Sequence, residues 1–358
     1  MRCFISRMGI LMSDTSTLVI GTRGSALAVW QAEYVAARLV DAWPGMQVRL
    51  ERIRTTGDKI QDVPLASVGG KALFVKEIEE ALLDRRVDLA VHSLKDVPAD
   101  LPTGLCIAAT PAREDPSDVL ISRTGARLQD LRRGARIGTS SLRRQAQLLN
   151  LRPDLDIVGL RGNLDTRIRK LETEGLDAIV LARAGVKRLG LEHVITEVLP
   201  VEVLLPAVGQ GVLAIETRDT SRETRAESRN ERRAPGVERR DENSGSLSDC
   251  AVGSRPVSKI VAVLDDRETS VAMQAERGFL RRLGGGCQVP VAALARVDGS
   301  DVHLAGLIAD VDGRTVLRGE ALGQAGNPES VGIALAERLL AQGGQAILTR
   351  IYERAQRG

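Results

Sequence analysis

One cysteine stands in a setting unlike the others: Gly284-Gly285-Gly286-Cys287-Gln288-Val289-Pro290. Three glycines remove every side chain ahead of the sulfur, and Pro290 bars helix continuation. The thiol is therefore expected on a turn that a large group can approach. A free cysteine is most often a small buried hydrophobe inside an apolar run. Cys106, in Leu105-Cys106-Ile107-Ala108-Ala109, fits that description. The surroundings of Cys287 suit an attachment point or a nucleophile instead.

A second set of reactive residues follows the ends of short apolar runs. Arg23 and Ser25 follow Leu18-Val19-Ile20, and Lys95 and Asp96 follow Leu89-Ala90-Val91. Thr139, Ser141, Arg143 and Arg144 follow Ile137, while Arg161 and Arg167 follow Ile157-Val158. Ligands of α/β sheets bind at the carboxyl ends of strands. Helix N-termini there favour anions, and arginine matches a carboxylate with a planar fork. Any one such arginine is most simply a solvated surface charge. Their recurrence at successive strand ends points to a ligand with several carboxylates or phosphates. Asp96 is the exception. It is either a counter-ion for Lys95 or a stabiliser of positive charge developing on a substrate. Unit charges about 4 Å apart interact by roughly 4 kcal/mol at an effective dielectric near 20.

The elements that must position these residues alternate between strand and helix. After Leu18-Val19-Ile20, Ser25 is expected to cap a helix whose face carries Leu27, Trp30, Tyr34 and Ala37, and Trp43-Pro44-Gly45 stops it. Val48 to Ile53 reads as a strand. Gly69-Gly70 opens a helix with Phe74, Ile78 and Leu82 inward. A strand through Val91 completes the pattern, which restarts after Pro111 to Pro116 with strands at Ile137, Ile157 and Ala178 to Leu181. This grammar implies parallel sheets of βαβ units, two of them side by side around a cleft. Val212 to Ile215 is expected to cross back and complete the first sheet. A helix over 270–283, strands at Val291 to Val297 and Val302 to Ile308, and a helix near Val331 to Leu340 form a small α+β domain. The fold class is thus α/β: two lobes around a cleft plus a small C-terminal domain. The expected boundaries are 15–111 with 207–218, then 112–206, then 257–358. The charged segment 219–256, with Pro235-Gly236 and Ser244-Gly245-Ser246, is too poor in apolar residues to fold and reads as a disordered linker.

At 358 residues, with 43% hydrophobic and 27% charged residues, the chain has the balance of a soluble globular protein of two or three domains. A net charge of +3 and 2% aromatic residues speak against nucleic-acid binding. The four cysteines have no paired spacing, which fits a reducing compartment. Three widely separated histidines, His92, His193 and His303, argue against a metal site. No run reaches the length of a membrane span. The first residues lack a signal-peptide pattern, so the cytoplasm is expected, with Met1, Met8 and Met12 as alternative starts.

Seven ordered stretches carry a resemblance to the porphobilinogen deaminase (hydroxymethylbilane synthase) family, from Leu18 to the C-terminal helix. They are Gly21-Thr22-Arg23-Gly24-Ser25-Ala26-Leu27-Ala28, residues Val68 to Glu77, and Val91-His92-Ser93-Leu94-Lys95-Asp96-Val97-Pro98. Gly138 to Gln145, Leu160-Arg161-Gly162-Asn163, Pro206-Ala207-Val208-Gly209-Gln210-Gly211 and Gly285 to Pro290 complete the set. The resemblance implies two lobes like those of type II periplasmic binding proteins and a third domain carrying the cysteine. It implies a transferase of tetrapyrrole (heme) biosynthesis that joins four porphobilinogens head to tail, losing ammonia each time, and releases hydroxymethylbilane. Cys287 would hold a dipyrromethane cofactor by a thioether. Lys95, Thr139, Ser141, Arg143 and Arg144 would bind its carboxylates, and Arg23, Ser25, Arg161, Arg167 and Arg188 the substrate. Asp96 would be the catalytic carboxylate opposite the cationic azafulvene. A monomer without metal, nucleic-acid or membrane partner is expected. The stretch from about Arg218 to Arg255 is longer than the family's usual connection. The rival from another class is a non-catalytic solute-binding protein with the same two lobes.

Overall fold

The computed structural model describes residues 17–59, 74–219, 256–284 and 289–357. Cys287, the segment 220–255, Gly69-Gly70 and the residues before Thr17 lie outside the described residues.

The first lobe is a five-stranded sheet in the order β2-β1-β3-β10-β4. Its strands are β1 (Leu18–Thr22), β2 (Val48–Arg52), β3 (Leu89–Ser93), β4 (Leu105–Ala109) and β10 (Leu213–Arg218). β1 pairs in parallel with β2 and β3, whereas β10 runs antiparallel to both β3 and β4. The second lobe repeats the plan as β7-β6-β8-β5-β9. Here β6 (Arg136–Gly138) is parallel to β7 (Asp156–Val158) and β8 (Ala178–Ala182), and β5 (Asp118–Ser122) is antiparallel to β8 and β9 (Glu197–Leu199). The sheets are therefore mixed where the alternating pattern predicted parallel ones. The reason is the crossing: β5 and β10 are the strands by which the chain enters one lobe and returns to the other. Each arrives from the far side and pairs head to tail. The expected return at Val212 to Ile215 is β10.

Helix α1 (Ala26–Ala42) is capped by Ser25, whose hydroxyl accepts from the Ala28 N–H at 3.3 Å. Its buried stripe is Gln31, Ala32, Val35 and Leu39, not the predicted Leu27, Trp30, Tyr34 and Ala37. Small and β-branched side chains let the helix sit close on the sheet. The aromatic residues turn towards the second lobe. Helices α2 (Thr56–Lys59) and α3 (Lys76–Leu83) follow; α3 buries Ile78 and Leu82 as its spacing predicts, whereas Phe74, expected on the same face, precedes the helix and is half-buried. The second lobe contributes α4 (Leu142–Leu151), α5 (Leu164–Thr173) and α6 (Arg183–Arg188).

The third domain is an antiparallel meander of β11 (Val291–Asp298), β12 (Asp301–Ala309) and β13 (Val316–Gln324), covered by α8 (Arg267–Arg282), α9 (Pro328–Leu339) and followed by α10 (Gln345–Arg357). Phe279 of α8 is fully buried with Leu335 and Leu339 of α9. Burying side chains of that size stabilises by roughly 1.5–3 kcal/mol each. This core continues into the first lobe through Leu94, Val97 and Val208. A separate apolar contact joins Ala146 and Leu205 of the second lobe to Ala292, Leu294 and Leu307. The third domain thus touches both lobes beside the residues of interest.

Helix α7 (Val257–Val261) was expected with the third domain. It packs under the first lobe instead, where Ile260, Val261 and Leu264 join Leu18, Ile20 and Leu39, and the Trp43 indole donates to the Ile260 carbonyl at 3.0 Å. Glu276 of α8 is fully buried and ties three parts together. Its carboxylate pairs with Arg113 and accepts the N–H groups of Gly209 and Ala295, each at 2.8 Å.

Candidate active site

The strand ends of both lobes bring Arg23, Lys95, Asp96, Arg144, Arg161 and Arg167 within electrostatic reach of one another, Arg188 lies apart, and Cys287 falls outside the described residues. On the first lobe, Arg23, Ser25 and Asp96 line a common pocket with Gln31, His92 and Ser93. Arg23 lies with its guanidinium 4.4 Å from the centroid of the Phe74 ring and pairs with Asp58, its Nε donating at 3.2 Å. Lys95 and Asp96 sit in the 3₁₀ turn that follows β3, over 94–96. Leu94 and Val97, on either side, are buried in the core shared with the third domain, which fixes the backbone. Gly209 explains part of the Val208-Gly209-Gln210-Gly211 pattern. Its φ is +72°, and a Cβ there would press on Leu94 and the Lys95 backbone at 3.0–3.2 Å.

On the second lobe, Thr139 is buried after β6, and its hydroxyl accepts the Ser141 N–H at 3.2 Å. Ser141 stands at the N-terminus of α4 without using its side chain as a cap. Arg143 and Arg144 are both buried against one carboxylate that the sequence reading passed over, Asp118. Arg143 donates to it at 2.8 Å and to the Leu205 carbonyl at 2.7 Å. Arg144 donates twice to Asp118 and once to the Val180 carbonyl. The Gln210 amide adds a fourth bond to Asp118 at 2.9 Å. Burial works against the ionised carboxylate, but the two guanidinium groups hold Asp118 well below the usual range. Among the described residues the buried Arg143 Nε has no hydrogen-bond partner.

The two halves act on each other. Burial draws Lys95 down to about 8, with Asp96 opposing and Arg144 adding to the shift. Burial likewise lowers Arg167 to about 10, and its charged neighbours are Arg144, Asp96, Arg161 and Arg23. Arg161 is also shifted down by loss of water. Lys95, Arg143, Arg144 and Arg167 are thus set against two carboxylates, Asp118 and Asp96, which leaves an excess of positive charge for a ligand to neutralise. Arg188 is the exception. It lies at the junction of the lobes, 5.9 Å from the Trp30 ring centroid, donating to the Gly211 carbonyl at 2.7 Å.

Behind the pocket wall lies a buried trio that no local sequence signal announces. His92 Nε2 lies 3.0 Å from Glu216 Oε2, and Glu79 is buried nearby on α3. Loss of water pushes Glu79 up to about 7, Glu216 and Glu80 add to the rise, and His92 opposes it. The folded protein therefore holds a proton that the unfolded chain releases near 4.5. That contribution to stability is lost as pH rises through about 7. Glu79→Gln, which mimics the protonated form, should gain in Tm relative to the parent between pH 5 and 8. A Tm difference independent of pH would show that Glu79 does not titrate in this way.

Two mixed α/β lobes built on the same strand plan, with arginines and carboxylates of both within electrostatic reach of one another, and a third domain packed on both lobes, define the class. Residues 18–226 match the family model described as "Porphobilinogen deaminase, dipyromethane cofactor binding domain", and 271–341 match "Porphobilinogen deaminase, C-terminal domain". The porphobilinogen deaminase of Geotalea daltonii is 49% identical over 337 residues, covering 94% of this chain and 95% of that one. That of Syntrophotalea carbinolica is 50% identical over 338 residues, covering 94% and 97%. A periplasmic binding protein of Salmonella typhimurium aligns at 17% identity and a TM-score of 0.34, over 59% of this chain and 89% of that one. The chain belongs to the porphobilinogen deaminase family. It is an enzyme, a transferase of the tetrapyrrole pathway that works with a dipyrromethane cofactor. That membership sets aside the reading as a non-catalytic solute-binding protein.

Proposed function

We propose that the cleft binds the carboxylates of dipyrromethane and porphobilinogen, and that Asp96 serves the chemistry between them. The observation that carries this is the charge balance of the cleft: Lys95, Arg143, Arg144 and Arg167 are set against two carboxylates, Asp118 and Asp96, and among the described residues a buried Arg143 N–H has no partner. A ligand that brings acetate and propionate groups fits that donor set. Lys95, Thr139, Ser141, Arg143 and Arg144 hold the cofactor. Arg23, Ser25, Arg161 and Arg167 orient the incoming substrate, and Arg188 serves it from the lobe junction.

Bound in the cleft, the dipyrromethane supplies the pyrrole carbon to which a new ring is joined. Asp96 stands within electrostatic reach of Lys95 and Arg167. When porphobilinogen loses ammonia, the ring it leaves is a cation whose pyrrole N–H needs a negative partner. The Asp96 carboxylate supplies that charge, and it accepts the proton released when the rings join. Withdrawal of water from the cleft strengthens the interaction. The boundaries we propose are 15–111 with 207–218 and the α7 segment for the first lobe, 112–206 for the second, and a third domain from about Asp265. The intervening 219–256 is proposed as a linker. Among the described residues no helix is long and apolar enough to cross a membrane. We propose a cytoplasmic monomer.

Cys287→Ser tests the attachment. Its intact mass should lack the dipyrromethane present on the parent protein, while the same exchange at Cys106 leaves the adduct in place. An unmodified mass from active parent enzyme would overturn the assignment.

A further inference from the structure

The placement of Arg188 sets it apart from the other predicted substrate residues, and its surroundings show why. The residue ends α6 of the second lobe, yet its guanidinium lies against Trp30 of the first lobe and bonds to Gly211 on the returning segment. Trp30 is in turn stacked on Tyr34, with ring centroids 5.5 Å apart and planes 7° from parallel. Close by, Lys187 pairs with Glu114 at 2.9 Å. Leu27 approaches Gly185 so closely that a Cβ there would lie 3.4 Å from its Cδ2. Burial lowers Arg188, with Glu114 and Tyr34 opposing the shift. One guanidinium therefore spans both lobes and the crossing between them. The aromatic face of α1 receives it.

We propose that Trp30 is a positioning residue that clasps Arg188 at the lobe junction, and that substrate carboxylates draw Arg188 away and release the clasp. This rests on the reading of the cleft as the porphobilinogen site. A planar guanidinium gains more from a bidentate carboxylate than from a ring at this distance, so the exchange runs towards the ligand. The clasp also taxes binding, because only the released fraction of Arg188 is competent. Removing the ring should then tighten substrate binding, whereas a ring that merely supports the fold would weaken binding when removed.

The chain has two tryptophans, Trp30 and Trp43, so Trp43→Phe leaves Trp30 as the single reporter. In that background and without substrate, Arg188→Ala should shift Trp30 emission. This arm is independent of turnover, and an unchanged spectrum overturns the clasp even if the enzyme proves fully active. Adding porphobilinogen should change Trp30 emission saturably with Arg188 present and leave it unchanged with Arg188→Ala. An identical response in both overturns the proposal. In steady state, Trp30→Ala should lower KM about two- to tenfold. Trp30→Phe should fall between, since it keeps a smaller ring. Arg188→Lys, which keeps charge without a planar face, should match the loss of the clasp in emission. A raised KM in Trp30→Ala would assign the ring a structural role only.

Discussion

Asp96→Asn slows the chemical step about a hundred- to a thousandfold while the protein stays folded, the range expected when one placed electrostatic stabiliser is removed. The exchange is nearly isosteric and keeps an acceptor, so packing changes little. The backbone is held from both sides by Leu94 and Val97 in the core shared with the third domain. What disappears is one negative charge in a cleft crowded by Lys95 and Arg167. Single-turnover release of ammonia, measured on protein whose mass confirms the cofactor, isolates that step. Arg143→Ala should fail in a different way, by impaired cofactor loading. If Asp96→Asn with cofactor in place turned over near the parent rate, Asp96 would be a counter-ion for Lys95 and nothing more.

The second large effect is on stability. Asp118→Asn removes the carboxylate shared by Arg143 and Arg144 and leaves two guanidinium groups buried without their counter-charge. Breaking a buried pair in this way costs about 3–5 kcal/mol. The parent protein should lose the same contribution only in acid. Asp118 is held below its ordinary value of 3.8, so its stabilisation is present above that value and disappears as pH falls through the folded one. The Tm gap between parent and variant should therefore be wide at pH 7 and close towards acid. Replacing Arg143 by Met in the same chain should recover part of the loss, because the charge left uncompensated is gone. An Asp118→Asn protein as stable as the parent at pH 7 would mean that the two arginines find other partners.

Much of this site could be read from the sequence because strand ends and helix starts are local signals. Ser25 caps α1 as its position before Ala26 indicated, and Lys95 and Asp96 follow β3. Asp118 was missed for a physical reason. A single carboxylate ahead of Val119-Leu120-Ile121 looks like the rim of a strand, and its importance arises from Arg143 and Arg144, 25 and 26 residues later. The trio of Glu79, His92 and Glu216 escaped in the same way, since His92 and Glu216 are 124 residues apart. The stripe of α1 was misassigned because periodicity finds an apolar face but does not say which of two neighbours it meets. Mixed pairing in the sheets was likewise invisible: βαβ spacing reports parallel neighbours, while β5 and β10 reach their places by crossing between lobes.

Glu276 has a bearing on the order in which the molecule is made. Arg113, which it neutralises, lies 163 residues earlier, and Ala295, whose N–H it accepts, lies 19 residues later. A chain leaving the ribosome folds its first domains before its last. The segments between the lobes must wait, with Arg113 unpaired, until α8 and β11 have been synthesised and docked. The segments that join the lobes and the domain that bears Cys287 are thus completed together. The lobes become a finished frame only when the part that bears the cysteine has arrived.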